Sequence, residues 1–252
     1  YKAITACNHD IFHLYKELFT QCVKLVKELS FKIKYYYILM ESKELTIVIV
    51  TFRSDEKITE CLKSISNEIP VIVVENSNNE NFKKKIEQSF FNVSCILTGE
   101  NKGYSFANNI GLKQVKTKYA LVLNPDTILD KEAIKNFFIA SKKLNDFWLI
   151  GPANDQMVSI NFKKKNFVEV NNLKGFAIFF NITKFNHKYF DENFFLFFEE
   201  IDLCERVKKN KGKIYLVENI IIKHDGASSV NTINSLDLEK NRNWHWMWST
   251  FY

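Results

Sequence analysis

The sequence predicts an α/β domain, a mainly parallel sheet with helices on both faces. Three observations carry this reading. From residue 45 onward, short apolar runs alternate four times with amphipathic segments, the order expected of consecutive βα units. The runs are almost continuously apolar, as strands buried on both faces are. One of them, 119–123, stops at Asn124-Pro125-Asp126, which sets a carboxylate outside the carboxyl end of a strand. Open α/β sheets hold their ligands there.

The elements follow in order. Residues 45–52 read as a strand and 56–65 as an amphipathic helix. A second strand covers 70–75, followed by an Asn- and Ser-rich turn and a Lys-rich helix near 82–90. The third strand is 93–98 and its helix 104–115; the fourth strand, 119–123, leads into a helix over 131–143 opened by Asp130. Right-handed crossovers bring the strand ends to one rim, which collects Thr51, Glu75, Gly99 and Asp126. After residue 152 the alternation stops. An exposed hairpin is expected at 162–166 and a strand at 172–180, in which Gly175 allows close approach of a ligand or backbone. A helix from 199 to about 210 and strands at 213–217 and 220–222 complete the domain, with no linker and no internal repeat.

At 252 residues and 46% hydrophobic, the chain can bury one full core. Its net charge of +6 is modest and its lysines scattered. That suits an anionic lipid surface or a phosphorylated substrate, and the sequence holds no nucleic-acid recognition motif. Five widely spaced cysteines, without a Cys-x-x-Cys pair, suggest neither zinc nor a disulfide frame, so a cytoplasmic setting is expected. No apolar run approaches the roughly 18 residues a membrane span needs.

Several residues carry chemistry. Pro125 restricts Asn124 and stiffens the approach to Asp126. The Asn-Pro-Asp-Thr stretch is then either a capped turn or a site for a divalent cation. Glu199, Glu200 and Asp202 bring three acids to the start of a helix, behind Phe194, Phe195, Phe197 and Phe198. Acids commonly complement a helix dipole there, but aromatic packing also raises a carboxyl pKa toward that of a general base. His224, beside Asp225 and Gly226 at a strand end, reads as a metal ligand or as a hydrogen-bonded structural histidine.

Taken together, these motifs resemble the family-two glycosyltransferases, in particular their rhamnosyltransferase-like branch. The resemblance rests on Ile49-Val-Thr-Phe52, Val74-Glu-Asn-Ser77, Asn101-Lys-Gly-Tyr104, Asn108-Asn-Ile-Gly111, Leu123-Asn-Pro-Asp-Thr127, Gly151-Pro152, Gly175, Phe190-Asp-Glu192, Glu199-Glu-Ile-Asp-Leu-Cys-Glu-Arg206 and His224. They keep the family's order over nearly three quarters of the chain. The resemblance implies a GT-A fold, a Rossmann-like and mainly parallel sheet. It implies Mg²⁺ or Mn²⁺ held by Asp126 and His224, and a dTDP- or UDP-sugar donor held by Thr51, Phe52, Glu75, Asn101, Gly103, Asn108, Asn124 and Gly175. Glu200 takes the place of the catalytic base, with Glu199 and Asp202 shaping its field. The implied activity is inverting transfer of a sugar, rhamnose being one candidate, to a glycan or lipid-linked acceptor in bacterial cell-surface polysaccharide synthesis. Two departures stand out: Glu200 and Glu75 replace the family's usual aspartates. An extra methylene moves a carboxylate by about 1 Å, enough to cost about 10²-fold when misplaced. The alternative is therefore an inactive nucleotide-sugar-binding or scaffold domain of the same fold. A sugar-phosphate nucleotidyltransferase is disfavoured, because Thr51-Phe-Arg-Ser54 contains no glycine.

The expected organisation is a helical extension over 1–43, the transferase domain over 44–230 and an aromatic helix over 231–252. The extension is either a basic amphipathic helix on a membrane surface or sequence upstream of a natural start at Met40. Trp244, Trp246 and Trp248 suit either packing on the domain or peripheral contact with the inner face of the plasma membrane. The aromatic run at the end also admits a truncated product.

Overall fold

The computed structural model describes residues 19–29, 43–144, 146–153, 166–225 and 235–252. The chain divides into two compact units, Tyr1–Met40 and Glu41–Tyr252. In the first, residues 19–29 form helix α1, whose Phe19, Leu25, Val26 and Leu29 are exposed.

The second unit is built on a sheet of eight described strands. These are β1 (Leu45–Thr51), β2 (Val71–Glu75), β3 (Val93–Leu97), β4 (Tyr119–Leu123), β6 (Phe147–Pro152), β7 (Phe167–Glu169), β8 (Ala177–Asn181) and β9 (Lys213–Val217), in the order β3-β2-β1-β4-β8-β6-β9-β7. β1 to β4 are parallel, and β6 pairs in parallel with β9. β8 runs antiparallel to both β4 and β6, and β7 antiparallel to β9. A separate ribbon pairs β5 (Thr127–Leu129) with β10 (Ile222–His224), antiparallel, with Thr127 opposite His224.

The side-chain period of two assigns each strand residue to a face. Ile47 and Ile49 of β1, Leu121 of β4 and Phe179 of β8 enter one core. That core is covered by α2 (Asp55–Lys63), α3 (Glu80–Ser89) and α5 (Ala133–Lys143), through residues such as Ile58, Phe82 and Phe137. Their neighbours Val48, Val122 and Phe180 enter the opposite core, under Leu112 of α4 (Tyr104–Gln114) and Leu203 of α6 (Glu199–Lys209). Phe179 anchors the first core, with ring centroids 4.9 Å from Phe137 and 5.0 Å from Tyr119. Helix α7 (Ser235–Phe251) follows β10 in the chain.

The α/β class and the helices on both faces are as expected, and three local readings change. The stretch after Asp126 does not pass directly into a helix; β5 intervenes and α5 starts at Ala133. Thr127 and Leu129 are buried while Ile128 is exposed, an alternation that suits a strand. The strand expected over 172–180 begins at Ala177. Before it, Leu173 packs inward and the Phe176 carbonyl accepts from the Asn124 N–H, 2.9 Å. The last strand is shifted to Ile222–His224, because Ile220 closes a turn onto the Val217 carbonyl. His224 is the last residue of this strand and so stands at a strand end, as expected. The hairpin expected at 162–166 falls almost wholly outside the described residues.

Candidate active site at the strand rim

The parallel strands end on one rim, where two loops are stitched by a residue that sequence reasoning left without a role. Asn76, directly after β2, is 3% exposed. Its Nδ2 donates to Asn101 Oδ1 (2.9 Å) and to the Gly103 carbonyl (3.2 Å), while its Oδ1 accepts from the Lys102 N–H (3.0 Å) and Thr98 Oγ1 (3.2 Å). Its neighbour Glu75 turns both carboxylate oxygens onto Ser77 Oγ (2.7 and 2.9 Å), and Oε2 also accepts from the Asn79 N–H (3.2 Å). Asn79 in turn caps α3 by accepting from the Phe82 N–H. Thr51 pairs with Glu75 across the sheet, and its Oγ1 is buried without a hydrogen-bond partner among the described residues. Phe52 lies beneath the Arg53 guanidinium, 5.1 Å from ring centroid to Cζ.

Tyr104, the first residue of α4, ties the centre of the rim together. Its hydroxyl hydrogen lies between Asn124 Oδ1 (2.9 Å) and the Gly175 carbonyl (3.3 Å). Burial pushes the phenol far above its usual range, and the nearby Glu199 carboxylate adds to this. Its backbone N–H donates to the Phe195 carbonyl, 2.7 Å. Gly103 makes that approach possible. At φ +86° it adopts a conformation that side chains rarely take, and a Cβ there would meet the Phe195 ring and carbonyl at 2.7 Å. Asn108 donates to the Tyr104 carbonyl (3.0 Å), and its Oδ1 is buried without a partner among the described residues.

Asp126 and His224 come together through the β5–β10 ribbon. Asp126 is 6% exposed, and the Asp225 N–H donates to its carbonyl. His224 Nε2 lies 3.4 Å from Asp126 Oδ1, and Phe176 stacks on the imidazole at 4.6 Å, which fixes its plane. That separation exceeds a well-formed hydrogen bond, so Asp126 Oδ1 has no hydrogen-bond donor among the described residues. Two donor atoms this close, one of them an orphaned carboxylate oxygen, would suit a shared divalent cation. The residues present therefore fit Mg²⁺ or Mn²⁺. Among the described residues, three or more His, Cys, Asp or Glu do not cluster into a closed protein cage. Lys57 of α2 binds Asp225 Oδ2 at 2.8 Å and places a positive charge beside this pair.

The acid cluster opens α6 after two consecutive left-handed residues, Phe197 (φ 71°) and Phe198 (φ 66°). Glu199 is buried, and its Oε2 has no partner among the described residues. Burial, then the charge of Glu200, pushes its carboxyl up to about 8. Burial also raises Glu200, which packs against Gly175 with its carboxyl carbon 3.5 Å from the Cβ position there. Asp202 accepts from Arg206 Nε (2.7 Å), whose other arm reaches the Tyr189 carbonyl. The structure thus brings Asn124, Gly175, Glu199 and Glu200 around the Tyr104 hydroxyl, and Asp126 and His224 beside one another. A groove of about 520 Å³ lined by Lys208, Lys211 and Lys213 lies where β9 begins, at the opposite rim from these groups.

Comparison with known proteins gives a consistent result. The profile of "Glycosyl transferase family 2" matches residues 46–204. The low-salt glycan biosynthesis hexosyltransferase Agl10 of Haloferax volcanii is 26% identical over 207 residues, covering 70% of this chain and 66% of that protein. The teichoic acid poly(glycerol phosphate) polymerase of Staphylococcus epidermidis is 29% identical over 139 residues, 52% of this chain and 18% of the polymerase. The chain thus spans just under two thirds of the first relative and under a fifth of the second. Among solved structures, S. aureus TarS 1–349 in complex with UDP-GlcNAc superposes with TM-score 0.58 at 17% identity, over 80% of this chain and 65% of that one. The mannosyltransferase PcManGT of Pyrobaculum calidifontis, in complex with GDP-Man and Mn²⁺, gives 0.59 at 12% identity, over 79% of this chain and 59% of its own. At those identities the likeness establishes the fold, which is GT-A.

Proposed function

The chain belongs to glycosyl transferase family 2, and on that premise we propose that it transfers a hexose from a nucleotide-sugar to a hydroxyl of a growing glycan. The observation that carries this reading is the buried, unpartnered Asp126 Oδ1 beside His224, on the same rim as the raised Glu199–Glu200 pair. One group of donor atoms fits a cation that carries phosphate, the other a base that accepts a proton. Structures of the same fold in complex with UDP-GlcNAc, or with GDP-Man and Mn²⁺, support a nucleotide-sugar donor and a divalent cation.

Asp126 and His224 would hold Mg²⁺ or Mn²⁺. When bound, the cation neutralises charge on the departing nucleoside diphosphate. Thr51, Phe52, Glu75 and Asn101 line the base and ribose side. Gly103, Asn108, Asn124 and Gly175 would shape the donor side of the site, the buried Asn108 by holding the Tyr104 carbonyl. Burial raises the proton affinity of both Glu199 and Glu200, which titrate as a pair, and the base is assigned to Glu200, which lies against Gly175. Glu200 takes the acceptor hydroxyl proton as that oxygen bonds to the anomeric carbon. The bond from that carbon to the diphosphate oxygen breaks, with its electron pair leaving on the diphosphate. Attack opposite the leaving group inverts the anomeric centre, through an oxocarbenium-like transition state. Asp202, on the same first turn of α6, is bonded by Arg206.

A rhamnose donor and a lipid-linked acceptor at the inner face of the plasma membrane extend the same reading. Exposed Trp244 and Trp248 on α7 support membrane contact. Among the described residues, no helix is long and apolar enough to cross a membrane. The test is Glu200→Gln in donor hydrolysis, followed by ¹H NMR of the released sugar. Turnover is expected to fall about 10²–10⁴-fold, and the unsubstituted chain should release the anomer opposite to that of the donor. A retained anomer, or undiminished turnover in Glu200→Gln, would refute the assignment.

A further inference from the structure

The loop that delivers the acid pair is held in an uncommon conformation. Phe197 and Phe198 both have positive φ, which persists for such residues only where the surroundings over-determine it. On one side the restraint is the Tyr104 N–H on the Phe195 carbonyl. On the other side it is α7. His245 stacks on the Phe195 ring at 4.3 Å and 10°, and Ser249 Oγ donates to the Leu196 carbonyl at 3.0 Å. Arg242 lies over the Phe197 ring at 5.9 Å, and Tyr252 packs edge-on against Phe194 at 5.1 Å. Residues 242, 245 and 249 recur at the three-to-four spacing of one helix face, and Tyr252 follows directly after the helix, so one side of this segment grips residues 194–197. Ser249 is 6% exposed, while Trp244, Trp248 and Phe251 on the other side of α7 are more than half exposed.

We propose that His245 and Ser249 are positioning residues, which act through Phe195 and Leu196 to set the place of the Glu199–Glu200 pair. The proposal rests on the reading of Glu200 as the base. It assigns α7 a part chiefly in turnover, because its grip falls on the loop that leads directly into α6 and reaches the donor side only through Phe195 against Gly103 and Tyr104. The groups facing the acid pair are Lys174 ahead of β8, Tyr104 of α4 and Cys204 of α6 itself. From α7, His245 and Arg242 contact the adjoining loop. Burial contributes most to the raised Glu199, so a loosened loop admits water and lowers its titration point.

The experiment uses the full chain and the variants His245→Ala, His245→Phe and Ser249→Ala. Two quantities are measured: donor hydrolysis, as kcat and KM, and the ¹³C NMR titration of the Glu199 carboxyl, assigned with Glu199→Gln. In His245→Ala, kcat is expected to fall about tenfold or more, with donor KM within about twofold, since small misplacements of a reacting group act on turnover. The Glu199 titration should move down by about one pH unit. His245→Phe, which keeps the stacked ring, should restore both, and Ser249→Ala should shift both in the same direction without removing a ring from the core. An unchanged titration in both alanine variants, or a loss confined to KM, overturns the proposal. If the unsubstituted chain turns over no donor at all, the functional reading fails while the NMR arm still decides: a lowered Glu199 titration upholds positioning by α7 and an unchanged one overturns it.

Discussion

Asp126 Oδ1 lies 3.4 Å from His224 Nε2, although nearly a hundred residues of sequence separate the two. The antiparallel register of β5 and β10, which sets Thr127 opposite His224, produces the meeting. Stacking on Phe176 then turns the imidazole edge toward the carboxylate. Removing His224 leaves Asp126 in place, so His224→Ala should weaken Mn²⁺ binding about 10–100-fold, the loss typical when a group supporting a metal site is removed. Electron paramagnetic resonance of free Mn²⁺, titrated with chain and nucleoside diphosphate, measures it. Lys57→Ala should have a smaller effect, because Lys57 reaches the site only through its exposed pair with Asp225.

Glu199 makes stability depend on pH. Its proton affinity is raised on folding, from 4.5 to about 8, so between those values the folded chain binds more protons than the unfolded one. Stability is therefore fullest below pH 4.5 and declines as pH rises through about 8. In Glu199→Gln, the decline of melting temperature across that window should flatten. Each kcal/mol relieved at the upper end corresponds to about 2–4 °C for a chain of this size. A melting series from pH 5 to 9 with an unaltered slope would show that Glu199 is not the group responsible.

The Tyr104 hydroxyl serves Asn124 Oδ1 and the Gly175 carbonyl from one place. Tyr104→Phe leaves both acceptors without that donor, and is expected to cost about 1–3 kcal/mol. Because Asn124 precedes the segment that carries Asp126, donor hydrolysis should slow as well, by about tenfold. Urea unfolding and nucleoside diphosphate release on one preparation measure the two effects.

Gly103→Ala meets two penalties, the left-handed backbone at φ +86° and the 2.7 Å approach of Phe195. A loss of about 2 kcal/mol or more is expected, with a fall of about 4–8 °C in melting temperature. Gly175→Ala is the contrasting case. A Cβ there meets Glu200 atoms at 3.5–3.6 Å, ordinary contact, so the fold should tolerate it and any change should appear in turnover.

Much of this architecture was legible in the sequence, because buried strands and amphipathic helices write their periods into it. Runs such as 45–51 and 119–123, with 104–114 beside them, gave the parallel half and its rim. Strand direction is not written that way: the apolar run of β8 reads alike whether it lies parallel or antiparallel to β4. β5 and β10 are three residues each, too short for alternation to register, so the ribbon that joins Asp126 to His224 could not be foreseen. Asn76 and Tyr104 were visible in the motifs, but their hydrogen bonds depend on loops that meet only in three dimensions. Helix α7 reverses hydrophobic expectation by turning Ser249 inward and Trp244 and Trp248 outward, so its grip on the loop before Glu199 had no signal in the pattern.

The central claim, a cation-assisted nucleotide-sugar site at Asp126, is tested most directly by nucleoside diphosphate release. A panel of dTDP-, UDP- and GDP-sugars is incubated with the unsubstituted chain and with Asp126→Ala, in Mn²⁺ or in EDTA. The account predicts slow release from one donor class that requires Mn²⁺ and is lost in Asp126→Ala. Release that persists undiminished in EDTA or in Asp126→Ala, or the absence of both release and nucleotide binding across the panel, would contradict it.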